Sequence, residues 1–245
     1  MTIVRYNLSG FSNLRDGGGM SVPGGYIRTM RLLRSDNPTE LDAQDVSFLR
    51  DADLNAVIDL RTEFEVLSEP SQFKHHGFAV KHNSIMAGSA ASMLEGTPSV
   101  EQMYMQMIKD GGRSLAKAVT GVASGLRGGS VVVHCTAGKD RTGIVIALIQ
   151  DLLGVDRSEI VASYALTQEN LRGPWVEKMQ AQVKKLLGEK EAQKLTPLMS
   201  DSPPQAITAV FDHLDKNFGG SLGYLTQHKM DPAIVEQLRE ALVRP

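Results

Sequence analysis

A single cysteine among 245 residues, Cys135, rules out an intramolecular disulfide. It also leaves that thiol without a resolving partner, so an oxidant would drive it up the oxidation ladder unprotected. Histidine is scarce and poorly placed for a metal. His75 and His76 are neighbours, His82 lies in a candidate strand, and no HExxH, DxD or spaced Cys/His cluster occurs. Adjacent strand positions face opposite ways, which makes chelation by the His75 and His76 pair awkward. No metal and no cofactor is expected. The charges nearly cancel, 26 Lys+Arg against 28 Asp+Glu for a net −2, and no basic run is present. That argues against a nucleic-acid binder and against electrostatic anchoring on an anionic membrane. Long apolar runs are missing too. The longest, near 143–149, stops at Gln150 and Asp151, far short of a transmembrane segment. Met1-Thr2-Ile3-Val4-Arg5-Tyr6 has neither the apolar centre nor the cleavage site of a secretory signal. A cytoplasmic location is therefore expected, with signal-independent export left open. At 42% hydrophobic and 22% charged residues the chain can bury a full core, and one domain over 1–245 is expected.

What is present is concentrated in ten residues, His134-Cys135-Thr136-Ala137-Gly138-Lys139-Asp140-Arg141-Thr142-Gly143. The β-branched run Ser130-Val131-Val132-Val133 before them reads as a buried strand, and the apolar stretch 142–153 after them as a core helix. The loop between wraps toward a helix N-terminus, where free N–H groups and the positive dipole end attract an oxyanion. Such surroundings favour a thiolate, the nucleophilic form of cysteine. Arg141, six positions on, returns to the same cradle with a planar fork that grips two phosphate oxygens. Cysteine-x5-arginine on this frame is a phosphate-ester nucleophile site. The Thr142 hydroxyl is placed to donate to the sulfur as it leaves, and His134 to brace the loop. A buried, inert cysteine is the bland alternative, but it does not account for the arginine, the glycine and the strand-to-helix context together. A nucleotide-binding P-loop fails twice: Asp140 follows Lys139 where Ser or Thr is needed, and Val133 stands where the first glycine belongs. A phosphate-binding module without turnover is the rival of another class, and it would have no need of the thiol.

His-Cys-x-x-Gly-x-x-Arg-Thr-Gly resembles the signature of the protein tyrosine phosphatase superfamily, and HCTAGKDRTG is similar to its atypical bacterial branch. The resemblance extends along most of the chain. Asn13-Leu14-Arg15-Asp16, Arg34-Ser35-Asp36, Val57-Ile58-Asp59-Leu60-Arg61 with Glu65, and Gly219-Gly220-Ser221-Leu222-Gly223-Tyr224-Leu225 follow in the family's order. It implies a metal-independent phosphatase of tyrosine or dual specificity, working through a phosphocysteine intermediate and releasing inorganic phosphate. Thr136, Ala137, Gly138, Lys139, Asp140 and Arg141 would hold the phosphoryl group. Many relatives carry the general acid on a Trp-Pro-Asp loop. Here the one tryptophan, Trp175, sits between Pro174 and Val176, so that loop is absent. Asp140, inside the phosphate loop, is the candidate acid, with a helix cap as its structural alternative. Asp59 either orients Lys139 or Arg141 or pairs with Arg61. Lys139 resembles the loop lysine of inositol-lipid 3-phosphatases, which carry Gly where this chain has Asp140. A phosphoinositide therefore stands beside a phosphorylated protein as an expected substrate.

The expected fold is α/β, a central, mostly parallel sheet flanked by helices, with a helical C-terminal region. Strands are expected within 25–34, at 56–60, within 78–85 and at Ser130–His134, and a helix capped by Thr39 runs through Arg50. Further helices are expected at 159–167, 169–187, 190–198, 203–217 and 232–242, the last opened by Asp231-Pro232. The resemblance implies that a helix pair at about 169–199 closes over the site as a lid. Leu171, Val176, Met179, Val183 and Leu186 give it an apolar face that ordinary core packing explains equally well. The methionine-rich stretch 88–112 reads as adaptable packing.

Overall fold

The computed structural model describes residues 4–86 and 99–245. Its main sheet has five strands in the order β1 (Arg15–Asp16), β4 (Leu32–Ser35), β7 (Ser130–His134), β5 (Leu54–Asp59), β6 (Val80–His82). Only β1 runs antiparallel, against β4; the β4–β7, β7–β5 and β5–β6 pairings are parallel. A small antiparallel sheet joins β2 (Ser21–Val22), β3 (Gly25–Ile27) and β8 (Val243–Arg244). The period-two alternation of β7 divides the core. Val131 and Val133 enter the large cluster beneath α4 (Gly112–Leu126) and α5 (Asp140–Leu153), while Val132 packs with Leu33, Leu49, Val57 and Phe73 on the other face. Burial on both faces explains why β7 is continuously apolar. α5 is buried nearly all round and stops at Gly154, whose φ of +84° supplies the left-handed cap.

Several elements differ from expectation. The span 25–34 is two strands in different sheets. Asp16 captures the Met30 amide at 2.6 Å, and Met30 takes a left-handed φ of 59° that turns the chain between β3 and β4. The first helix, α1 (Ala43–Asp51), is capped by Asp42 rather than Thr39. Asp42 and Asp45 bond each other's backbone in a capping box, and Asp45 also accepts from Ser9 and Gly10. The expected strand within 78–85 is only the three residues of β6. α2 (Glu63–Ser68), α3 (Val100–Asp110) and α4 were not anticipated. α4 is built largely of Gly, Ala and Ser, whose small side chains let Leu115, Val119, Val122 and Leu126 pack closely on β5 and β7.

Beyond α5, α6 is one helix, Arg157–Leu171, and the chain breaks at Gly173, with φ +82°. The expected pair at 169–199 is therefore α7 (Pro174–Leu187) and α8 (Glu189–Ser200). These two pack chiefly on each other. α7 buries no residue fully, and Leu186 at its end is 79% exposed. α9 (Pro204–Phe218), α10 (Ser221–Gln227) and α11 (Ile234–Leu242) complete the core. α11 begins after Pro232, because Asp231 first holds the Ala233 amide in a turn. Of the methionine-rich stretch, 88–98 lies outside the described residues. Met107 is buried in α3, and Met103 and Met105 pack at the core's edge.

Candidate active site

The parallel register of β4, β7 and β5 brings Ser35, His134 and Asp59 level at one end of the sheet, and the loop 135–139 rises from there to α5. Strand ends of this kind border ligand sites in open α/β sheets. The loop's curvature is imposed from outside. The Asn37 amide donates to Thr136 O at 3.0 Å, Asn13 Nδ2 to Ala137 O at 2.9 Å, and Arg34 Nη2 to Gly138 O at 2.7 Å. A trans peptide points its C=O and N–H in opposite directions. Anchoring three successive carbonyls outward therefore turns the amides of Ala137, Gly138 and Lys139 into the bowl. Gly138 has φ +64°, and a Cβ there would lie 2.4 Å from the Ser35 carbonyl oxygen, so only glycine fits. Among the described residues no side chain caps the first turn of α5, which leaves its N–H groups for an anion. Cys135 is 2% exposed at the base of this bowl.

Arg141 lies on the first turn of α5. Nη1 and Nη2 donate to Glu65 Oε2 and Oε1 at 2.7 and 2.6 Å. Glu65 Oε1 also accepts from Thr136 Oγ1 at 2.6 Å, so one carboxylate fixes both ends of the loop. Burial alone would push the Glu65 carboxyl up, but the hydrogen bonds and charge of Arg141 hold it well below the ordinary carboxylate range. Two of the five guanidinium N–H groups are spent on Glu65, and three remain for a phosphoryl group. Glu65 is the N3 residue of a capping box with Thr62, and in the sequence it stands out only through the family resemblance. Nothing local to it announces the arginine.

Asp140 opens α5 with its side chain 21% exposed, and Tyr104 Oη donates to its Oδ1 at 2.9 Å. Lys139 points away from the bowl. Its ammonium donates to Leu198 O and, at 3.0 Å, to Asp201 O, capping the carbonyl end of α8, and lies 3.5 Å from Asp140 Oδ1. Asp59 is engaged by Arg61, with Nη2 to Oδ2 at 2.7 Å and Nε to Oδ1 at 3.0 Å; neither Lys139 nor Arg141 is its partner. The Thr142 hydroxyl is buried without a hydrogen-bond partner among the described residues, the Cys135 sulfur included. Among those residues, too, no three His, Cys, Asp or Glu side chains gather as metal ligands would.

His134 is fully buried, its Nδ1 donating to the Cys135 carbonyl at 3.2 Å. Burial, aided by the charges of Arg61 and Arg141, outweighs Asp59 and pushes its pKa down to about 4. The unfolded chain, with an ordinary histidine near 6.5, binds the extra proton first. Stability is then lost as pH falls through the window from about 6.5 to about 4. At pH 5 this one group is expected to cost about 2 kcal/mol relative to pH 7. Urea midpoints at the two pH values, with and without His134→Asn, test this. An equal pH dependence in the variant would mean that His134 is not the group responsible.

A cleft of about 220 Å³ adjoins the loop at Thr136, walled by Asp36, Asn37 and Glu69 on one side and Trp175, Lys178 and Met179 of α7 on the other. It does not include Cys135 or Arg141. The chemistry belongs to the bowl, and the cleft is a neighbouring surface.

The profile of the tyrosine phosphatase family matches residues 6–244. A candidate tyrosine-protein phosphatase of Cupriavidus necator is 34% identical over 164 residues, 62% of this chain and 59% of that protein, so the chain spans less than two thirds of that relative. The triple specificity protein phosphatase PtpB of Mycobacterium tuberculosis is 25% identical over 89% of this chain and 92% of its own length. Among solved structures, TpbA of P. aeruginosa aligns with 15% identity over 79% of this chain and 96% of its own, at a TM-score of 0.38. No helix among the described residues is long and apolar enough to cross a membrane. A family profile filled from residue 6 to residue 244, around a phosphate loop complete from His134 to Gly143, shows that this chain belongs to the tyrosine phosphatase family.

Proposed function

We propose that the chain forms one phosphatase domain that hydrolyses phosphotyrosine esters, with specificity broad enough to include phosphoserine and phosphothreonine. The observation that carries this reading is the loop whose carbonyls are held outward by Asn13, Arg34 and Asn37, around a thiol and an anchored arginine. The name of the PtpB relative supports the breadth of specificity. Cys135 attacks phosphorus as a thiolate, the nucleophilic form of cysteine, from the base of the bowl. The equatorial oxygens gain charge in the transition state, and the loop amides and the free Arg141 donors are fixed in advance to receive it. Asp140 protonates the departing oxygen, then takes a proton from the water that hydrolyses the cysteinyl phosphate and releases inorganic phosphate.

Asp140→Asn tests the acid. A phenol leaves with a pKa of about 10, whereas serine and threonine alkoxides are far more basic and depend more on protonation. The variant should lose roughly 10²-fold or more in kcat on a phosphothreonine peptide and clearly less on a phosphotyrosine peptide. Equal losses, or none, would sink the assignment.

A further inference from the structure

The two buried phenols behind the phosphate loop have no part in the reaction just described. Tyr104 on α3 and Tyr164 on α6 are 0% and 1% exposed. Their hydroxyls lie 2.8 Å apart, and the rings meet edge to face at a centroid distance of 6.0 Å. Tyr104 Oη is 2.9 Å from Asp140 Oδ1. A neutral phenol has one proton, so Tyr104 gives it to the carboxylate and accepts from Tyr164. The two hydroxyls thus form a directed chain ending on one oxygen of Asp140. The packing keeps this chain in place, since a Cβ on Gly143, one turn into α5, would lie 3.2 Å from the Tyr164 ring.

We propose that Tyr104, backed by Tyr164, is a positioning residue that decides which oxygen of Asp140 carries the transferable proton. Oδ1 accepts from Tyr104 and faces the Lys139 ammonium at 3.5 Å, whereas Oδ2 has no hydrogen-bond partner among the described residues. An acid proton on Oδ1 would meet two donors. It resides instead on Oδ2, the oxygen free to serve the leaving group and then the attacking water. Both phenols are held neutral by burial, which keeps them as donors. The proposal rests on Asp140 being the general acid.

Tyr104→Phe removes one oxygen and keeps the ring. The expected result is a fall in kcat of about tenfold on a phosphothreonine peptide, as for loss of one hydrogen bond to a charged group. KM should be unchanged, and the rate on p-nitrophenyl phosphate, whose leaving group needs little protonation, should stay within about twofold of wild type. Tyr164→Phe should follow the same pattern more weakly. In the Asp140→Asn background, Tyr104→Phe should cost nothing further. A uniform loss on every substrate, a change confined to KM, or full additivity with Asp140→Asn would reduce Tyr104 to a packing residue and overturn the proposal. If Asp140→Asn shows no leaving-group dependence, the acid assignment itself fails. If it does and Tyr104→Phe does not, only the positioning role fails.

Discussion

Cys135→Ser is expected to abolish turnover of phosphotyrosine and phosphothreonine peptides, a loss of at least about 10⁴-fold given what removal of a nucleophile costs elsewhere. It should leave binding nearly intact. The reason lies in the division of labour within the loop. The bowl is shaped by Asn13, Arg34 and Asn37 acting on carbonyls, and none of these contacts passes through the sulfur. A hydroxyl is smaller than a thiol and stays protonated at neutral pH, so the variant keeps the cradle and loses the nucleophile. Calorimetric titration with a phosphotyrosine peptide should give a Kd within a few-fold of the wild-type KM. Retained turnover would refute the cysteinyl-phosphate route. Loss of binding together with turnover would show that the thiol helps to shape the bowl.

Arg141→Lys should cost roughly 10³-fold in kcat, although it preserves the charge. Lysine presents a point charge, and it can satisfy neither both oxygens of Glu65 nor a phosphoryl group in one plane. The companion change Glu65→Gln isolates the anchoring. Glutamine keeps the shape of the side chain but brings an NH₂ against the guanidinium, so one of the bonds at 2.6 and 2.7 Å is lost and the other weakened. A kcat loss of about 10- to 100-fold is expected, with KM rising less. Thr136 loses its carboxylate partner as well, so thermal stability should drop modestly. Because the Glu65 carboxyl is held well below the ordinary range, its contribution to stability is present in full at neutral pH and is lost progressively as pH falls below the ordinary carboxylate pKa. In the variant the acid arm of the stability profile should flatten accordingly. If Arg141→Lys retains more than about a tenth of wild-type kcat, the bidentate clamp is not what the transition state uses.

The nucleophile, the arginine and the buried strand before them were legible in the sequence because they lie within a dozen residues. Over that length, strand propensity, the need for glycine at Gly138 and the spacing of cysteine to arginine leave few alternatives. The helices over 140–153 and 204–218 were legible for the same reason, through their local apolar patterning. Elements whose identity depends on a distant partner were not. The span 25–34 splits because Asp16 seizes the Met30 amide, and α4 is a helix because its small residues fit β5 and β7.

The site divides along the same line. The order Cys135, Lys139, Asp140, Arg141 is covalent, and it carries the reactive groups into one loop whatever the rest of the chain does. Which way each side chain faces was decided by tertiary contacts. Glu65 reaches Arg141 across 76 residues, Asn13 reaches Ala137 across 124, and Tyr104 reaches Asp140 across 36. Lys139 turns from the bowl because the carbonyl end of α8, 59 residues on, offers it a better-placed set of acceptors. Short-range stereochemistry specifies a loop able to bind phosphate. Directed hydrogen bonds from remote segments, each satisfying a buried polar group that would otherwise be costly to leave unpaired, determine what that loop presents.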